Sequence, residues 1–139
     1  MESKKRLNNK TSENVKYLIG LYENDKEFMD IDQQLTDYLD GKLKKFDIPY
    51  TLNKSFFIAK VLKEISNISY GTVMTYKEIA LKIGNPNSYR AVGNALASNP
   101  VPIIIPCHRV IKSDGSIGGF GGRPELKRKL LLHEGVQVI

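Results

Sequence analysis

The chain of 139 residues has a single cysteine, Cys107, and only two histidines. One cysteine excludes an internal disulfide and any cysteine-rich zinc cluster. It fits a reducing compartment. No window approaches the ~20 apolar residues that a membrane span requires. The opening Met1-Glu2-Ser3-Lys4-Lys5-Arg6 runs into polar residues, with no apolar stretch of the kind a secretory signal carries. Internal repeats and low-complexity tracts are missing too. These absences leave a soluble, cytoplasmic chain of one domain to one and a half, long enough to bury a core without staples.

What is present is unevenly spread. Residues 1–54 hold ten Lys/Arg against ten Asp/Glu, and residues 55–139 hold eleven against five. The whole surplus of +6 therefore lies in the second part. A basic segment suits a polyanion such as nucleic acid, although a solvated lysine-rich surface reads the same way.

Residues 1–14 are polar and expected to fray, and residues 15–23 suit either a strand or a short helix. Ile31, Leu35, Tyr38, Leu39 and Leu43 recur at helical spacing over 31–45, with Gly41 weakening the end. Residues 46–52 alternate around Pro49 and suit an edge strand or linker. The boundary falls near residue 54. Ser55 caps a helix to about Ser66, whose stripe is Phe57, Ile58, Val61, Leu62 and Ile65, continued by Ile68. Thr72-Val73-Met74 is extended. Thr75 and Glu78 form a capping box for a helix that stops at Gly84. Asn87 or Ser88 caps the next, from Tyr89 to about Ser98. Two short helices around a tight turn read as helix-turn-helix. Prolines 100, 102 and 106 forbid a helix and predict an extended run. Val110-Ile111 and Ile117 around Asp114-Gly115 predict a β-hairpin wing. Pro124 opens a last helix with Leu126, Leu130 and Leu131 inward and Gly135 closing it.

Three places carry chemistry. Cys107 is followed by His108 and Arg109 after an apolar, proline-bounded lead-in. Adjacent cations favour the reactive thiolate, whereas most free cysteines are small buried hydrophobes. The second helix of the pair is rich in small residues (Ala91, Gly93, Ala95), with Arg90 its long side chain near the start. Such a helix either packs closely into the protein's own core or lies close in a nucleic-acid groove with Arg90 projecting. The loop Gly118-Gly119-Phe120-Gly121-Gly122 lacks the context of a dinucleotide fingerprint. It reads as backbone that approaches a ligand, with Phe120 able to stack, or as a mobile surface loop. Glu134 is a further candidate, able to orient His108 as a base for the thiol. An acid at a helix C-terminus is mildly unfavourable, which hints at another use for it.

From about Ser55 to Gly135 the chain resembles the O6-alkylguanine-DNA alkyltransferases. The resemblance is carried by GTVMTYKEIA (71–80), RAVGNAL (90–96), NPVPIIIPCHRVI (99–111), the GGFGG loop and LLHEG (131–135), and the Pro-Cys-His-Arg-Val run is its most specific part. It implies an α/β (α+β) fold: an abbreviated N-terminal α/β region over 1–54, then a winged helix-turn-helix-like, mostly helical domain over 55–139. It also implies a single-use DNA repair transferase that flips O6-alkylguanine from duplex DNA, through the minor groove, and moves the alkyl group irreversibly to its own cysteine.

By the same resemblance Cys107 is the nucleophile, His108 the base through a water, and Glu134 its orienter. Arg90 fills the vacated base stack, with Ala91 and Gly93 beside it on the DNA-facing helix. Tyr76 binds the flipped guanine through its hydroxyl, Asn99 braces the Cys107 segment, and Pro102 and Phe120 wall the pocket. The Gly121 amide addresses O6, and the carbonyls of Cys107 and Val110 accept from the exocyclic amine. No cofactor and no metal are expected, and the protein is expected to be a monomer whose partner is damaged double-stranded DNA. The competing readings are an alkyltransferase-like protein that binds damage without reacting, and a winged-helix transcription factor. An intact Pro-Cys-His-Arg-Val run speaks against both.

Overall fold

The computed structural model describes residues 31–48, 52–120 and 124–138. The readings for 1–30, and those for Pro49, Gly121 and Gly122, lie outside the described residues. The chain divides into two compact units, Met1–Thr51 and Leu52–Ile139.

In the first unit, α1 (Ile31–Leu39) buries Leu35 and Tyr38 completely. The helix is shorter than its apolar spacing predicts. Gly41 takes a left-handed φ of 80°, which turns the chain where a longer helix would have continued. No strand forms over 46–48. There the Gln34 side chain stands in for a strand partner: its amide nitrogen donates to the Asp47 carbonyl at 3.2 Å and its oxygen accepts from the Asp47 N–H at 3.0 Å.

The second unit holds the rest. Ser55 caps α2 (Phe56–Ile65), which buries Val61, Leu62 and Ile65. Thr75 and Glu78 form the expected reciprocal box, at 3.0 and 3.1 Å, at the start of α3 (Tyr76–Lys82). Gly84, at φ 83°, ends that helix. Ser88 is the residue before α4 (Tyr89–Ala97), but its hydroxyl donates to the Asn85 carbonyl and does not cap. Helices α2, α3 and α4 pack on one another over Val61, Leu62, Ile79, Ala80, Val92 and Ala95. α5 (Pro124–His133) buries Leu126, Leu130 and Leu131 and packs on a single 3₁₀ turn, Cys107–Arg109.

The proline run is not extended. Ile105 N–H donates back to the Val101 carbonyl at 2.9 Å, Pro102 bridges Ile105, and Ile103 sits at φ 74°. Proline forbids a helix but not a reversal, and burial of Ile103 holds it in a conformation that β-branched residues avoid. Nor is there a hairpin at 110–117. β2 (Val110–Ile111) pairs in parallel with β1 (Met74–Thr75), in the register Met74 to Val110 and Thr75 to Ile111. Residues 112–116 form only a turn, closed by Lys112 N–H to the Ser116 carbonyl and tied by the Asp114 carboxylate to Ser116.

That short pairing positions the chemistry. Thr75 ends β1 and caps α3, so Tyr76 emerges beside the strand that follows Cys107-His108-Arg109.

Candidate active site

The proline-rich reversal delivers Cys107 at the start of the 3₁₀ turn, buried and 8% exposed. Asn99 clamps the reversal from inside. Its amide nitrogen donates to the Ile105 carbonyl at 2.8 Å, and its oxygen accepts from the Val101 N–H at 2.9 Å. Burial pushes the Cys107 thiol up, while hydrogen bonding from Asn99 and the charge of Lys127 pull it down.

His108 is fully buried, with Nε2 at 2.7 Å from Glu134 Oε2. A carboxylate only accepts, so Nε2 carries the hydrogen and Nδ1 is the bare nitrogen. Nδ1 is buried and has no hydrogen-bond partner among the described residues. Burial holds the imidazole below its usual range; the Glu134 contact opposes this, and Arg109 and Lys127 reinforce it. The ring is therefore neutral near pH 7 and able to accept a proton. The second histidine, His133, is half-buried, and its carbonyl accepts from the Tyr70 hydroxyl at 3.5 Å.

Glu134 is not a surface acid. It is buried, and Arg109 grips it at two points, Nε to Oε1 at 2.8 Å and Nη2 to Oε2 at 3.0 Å. Gly71 N–H adds a bond to Oε1 at 3.0 Å.

Lys127 belongs to none of the motifs that the sequence shows. It is 1% exposed, and its ammonium donates to the Val110 and Gly119 carbonyls and lies 5.7 Å over the Tyr76 ring. Burial brings its pKa down to about 8, and the Cys107 sulfur opposes that fall. Its signal was positional: 127 shares a helical face with Leu130 and Leu131. The Val110 carbonyl, expected to face a substrate amine, thus already accepts from Lys127 on one side.

Tyr76 is raised in pKa by burial and by Cys107, so its hydroxyl keeps its proton. Gly118 lies under that hydroxyl at φ 77°, and a Cβ there would come within 2.8 Å of it. Gly93 of α4 faces the same ring, its notional Cβ 3.9 Å away. Arg90 and Ala91 are exposed at the start of α4, and Arg90 lies 6.0 Å over the Tyr89 ring. Pro102 and Phe120 are half-buried. A cleft of about 450 Å³ is lined by Tyr76, Lys77, Tyr89, Gly93, Lys112, Ser113 and Asp114. It touches the site through Tyr76 and does not include Cys107. The structure thus gathers Cys107, His108, Glu134, Asn99, Val110 and Tyr76, and sets Arg90 and Ala91 apart on the exposed helix start. Among the described residues no group of three or more His, Cys, Asp or Glu side chains could hold a metal ion. No helix among them is long and apolar enough to cross a membrane.

Comparison with known proteins places this geometry. The family described as 6-O-methylguanine DNA methyltransferase, DNA binding domain, matches residues 56–136. A methylated-DNA--protein-cysteine methyltransferase of Methanosarcina barkeri is 47% identical over 109 residues, 78% of this chain and 69% of its own length. Mycobacterium tuberculosis OGT, solved in complex with DNA, is 43% identical with a TM-score of 0.75, over 77% of this chain and 66% of that one. Atl1 of S. pombe, solved with damaged DNA containing O6-carboxymethylguanine, is 33% identical with a TM-score of 0.56, over 63% of this chain and 83% of that one. The chain thus spans about two thirds of the first two relatives. It belongs to the methylated-DNA--protein-cysteine methyltransferase family.

Proposed function

We propose that this protein repairs O6-alkylguanine in duplex DNA by moving the alkyl group to its own Cys107 in one irreversible turnover. One observation carries the reading: a lone cysteine adjoins a buried, neutral imidazole whose bare Nδ1 is left by a carboxylate bonded to the other nitrogen. The sulfur attacks the alkyl carbon, the S–C bond forms and the C–O6 bond breaks. The thiol proton passes through a water to His108 Nδ1, the Tyr76 hydroxyl hydrogen-bonds a ring nitrogen as guanine leaves, and the departing base takes up one proton from the imidazolium by way of solvent. A thioether is a poor leaving group, so nothing restores the thiol. No cofactor enters the scheme.

The target carbon lies inside the base stack, so the nucleotide is flipped out, at a few kcal/mol. α3 and α4 act as the helix-turn-helix and the 112–116 turn as a reduced wing. Arg90 fills the vacated stack, with Ala91 and Gly93 letting the helix lie close. Pro102 and Phe120 wall the base pocket, the Gly121 amide addresses O6, and the Cys107 and Val110 carbonyls hold the exocyclic amine. The boundary near residue 54 sets residues 1–54 apart from the reactive domain over 55–139. The protein works as a monomer, and in the cytoplasm, where the thiol stays reduced. A purely damage-binding role is disfavoured by the intact nucleophile and its base.

The test is transfer from a duplex carrying radiolabelled O6-methylguanine. The label is expected to move to protein and stop at one methyl per chain; continued turnover, or none, overturns the reading. Arg90→Ala is expected to slow duplex repair by about tenfold or more, since it removes the wedge that offsets flipping. Attack on free O6-methylguanine should be unaffected; equal loss on both substrates contradicts the wedge role. Gly118→Ala places a methyl against the Tyr76 hydroxyl and in a left-handed position. It is expected to cost about 1 kcal/mol or more in urea unfolding, and to slow transfer because Tyr76 is displaced.

A further inference from the structure

We propose that Arg109 is a positioning residue: its two-point grip on Glu134 fixes His108 in the tautomer that receives the Cys107 proton. The inference rests on the reading that His108 takes that proton. Arg109 leaves the same 3₁₀ turn as His108, and both reach back to one carboxylate. Nε and Nη2 meet Oε1 and Oε2 at 2.8 and 3.0 Å, a two-point pairing that restrains the carboxylate's rotation. Nη1 donates to the Ile68 carbonyl at 2.8 Å, anchoring the fork to the segment after α2, and the Tyr70 ring lies 5.7 Å from the guanidinium. With the Glu134 plane fixed, one side of Oε2 is left for His108 Nε2. The hydrogen must then sit on Nε2, and Nδ1 stays bare.

The grip also sets the charge of the ring. Oε2 is shared between Arg109 Nη2 and His108 Nε2, so the guanidinium draws on the electron density that would stabilise an imidazolium. The charged groups that act on His108 are Glu134 and Lys127 from α5 and its end, and Arg109 from its own turn, where Cys107 is the preceding residue; Tyr70, before β1, faces Arg109 and Glu134. Removing Arg109 deletes a cation and leaves the anion. The imidazole then becomes harder to deprotonate, and the bare form exists only at higher pH.

The experiment measures single-turnover transfer to Cys107 between about pH 5.5 and 9, across the range where imidazole titrates, with nitrogen NMR of the imidazoles in the same samples. Arg109→Met is expected to move the acid limb of the rate profile up by about one pH unit, the scale of one nearby charge, with the rate recovering at the alkaline end. Loss that is uniform in pH, with the limb unmoved, overturns the proposal. Where Arg109→Met does not fold, Arg109→Lys decides. It keeps the charge but offers Glu134 one point contact. The limb should stay in place, while transfer falls by about tenfold, the usual cost of losing an orienting partner, and the His108 spectrum shows mixed tautomers. Wild-type rate with a pure Nε2–H tautomer in Arg109→Lys overturns it. If the unsubstituted protein transfers nothing, the repair reading fails, and the nitrogen spectra still decide the tautomer claim.

Discussion

Cys107→Ser is expected to abolish alkyl transfer, a loss of at least about a thousandfold, while duplex affinity stays within about twofold because no groove-facing group is changed. The attack needs a soft, ionisable atom in line with the alkyl carbon. Burial disfavours the thiolate, and Asn99 and Lys127 restore part of it. A hydroxyl is far less acidic than a thiol, so the same environment leaves serine protonated. The change is small in volume, and the two bonds by which Asn99 holds Val101 and Ile105 go to backbone atoms that the substitution leaves in place. The fold should therefore persist. Gel-shift titration with an O6-methylguanine duplex, beside a labelled transfer assay, separates the outcomes. Loss of binding together with transfer would make Cys107 a packing residue.

Glu134→Gln is expected to cost both stability and chemistry. The carboxylate lies between the buried Arg109 guanidinium and the buried His108 ring. Gln keeps the shape but removes the counter-charge, leaving a cation uncompensated in the interior. Breaking a buried pair in this way costs about 3–5 kcal/mol, which for a unit of this size lowers Tm by about 12 °C or more. The amide can also donate to His108 Nε2, which would shift the ring hydrogen to Nδ1 and remove the bare nitrogen. Transfer should fall even at temperatures where the variant is folded. Calorimetry and single-turnover assays at about 10 °C separate the two effects. A variant with wild-type Tm would contradict the buried ion pair, and wild-type transfer would contradict the role of Glu134 in orienting the base.

The parts of this protein legible in sequence are those set by local chemistry. The Thr75–Glu78 box, the stops at Gly84 and Gly135, and the leucine stripe of α5 depend on residues within a turn or two of one another. Pairings over long separations were not legible. Asp114-Gly115 is a strong hairpin signal, yet β2 finds its partner at Met74–Thr75, and no local pattern announces that choice. The reversal at Ile103 is hidden because isoleucine avoids the left-handed region and is held there by burial.

At the site, Cys107 and His108 stood out by rarity and adjacency, and Glu134 by its awkward place at a helix end. In sequence Arg109 is only a neighbouring cation, since spacing gives no hint that its fork closes on a carboxylate 25 residues later. Lys127 is hard to single out in sequence because lysine is almost always exposed, and its place among Leu126, Leu130 and Leu131 is the one clue to its burial.

Peptide mass mapping after incubation with an O6-methylguanine duplex decides whether one sulfur accepts the alkyl group. One added methyl is expected on the peptide holding Cys107, with unmodified guanine in the recovered strand. An unmodified Cys107 peptide beside a repaired strand, or a methyl on any other residue, would contradict transfer to that sulfur.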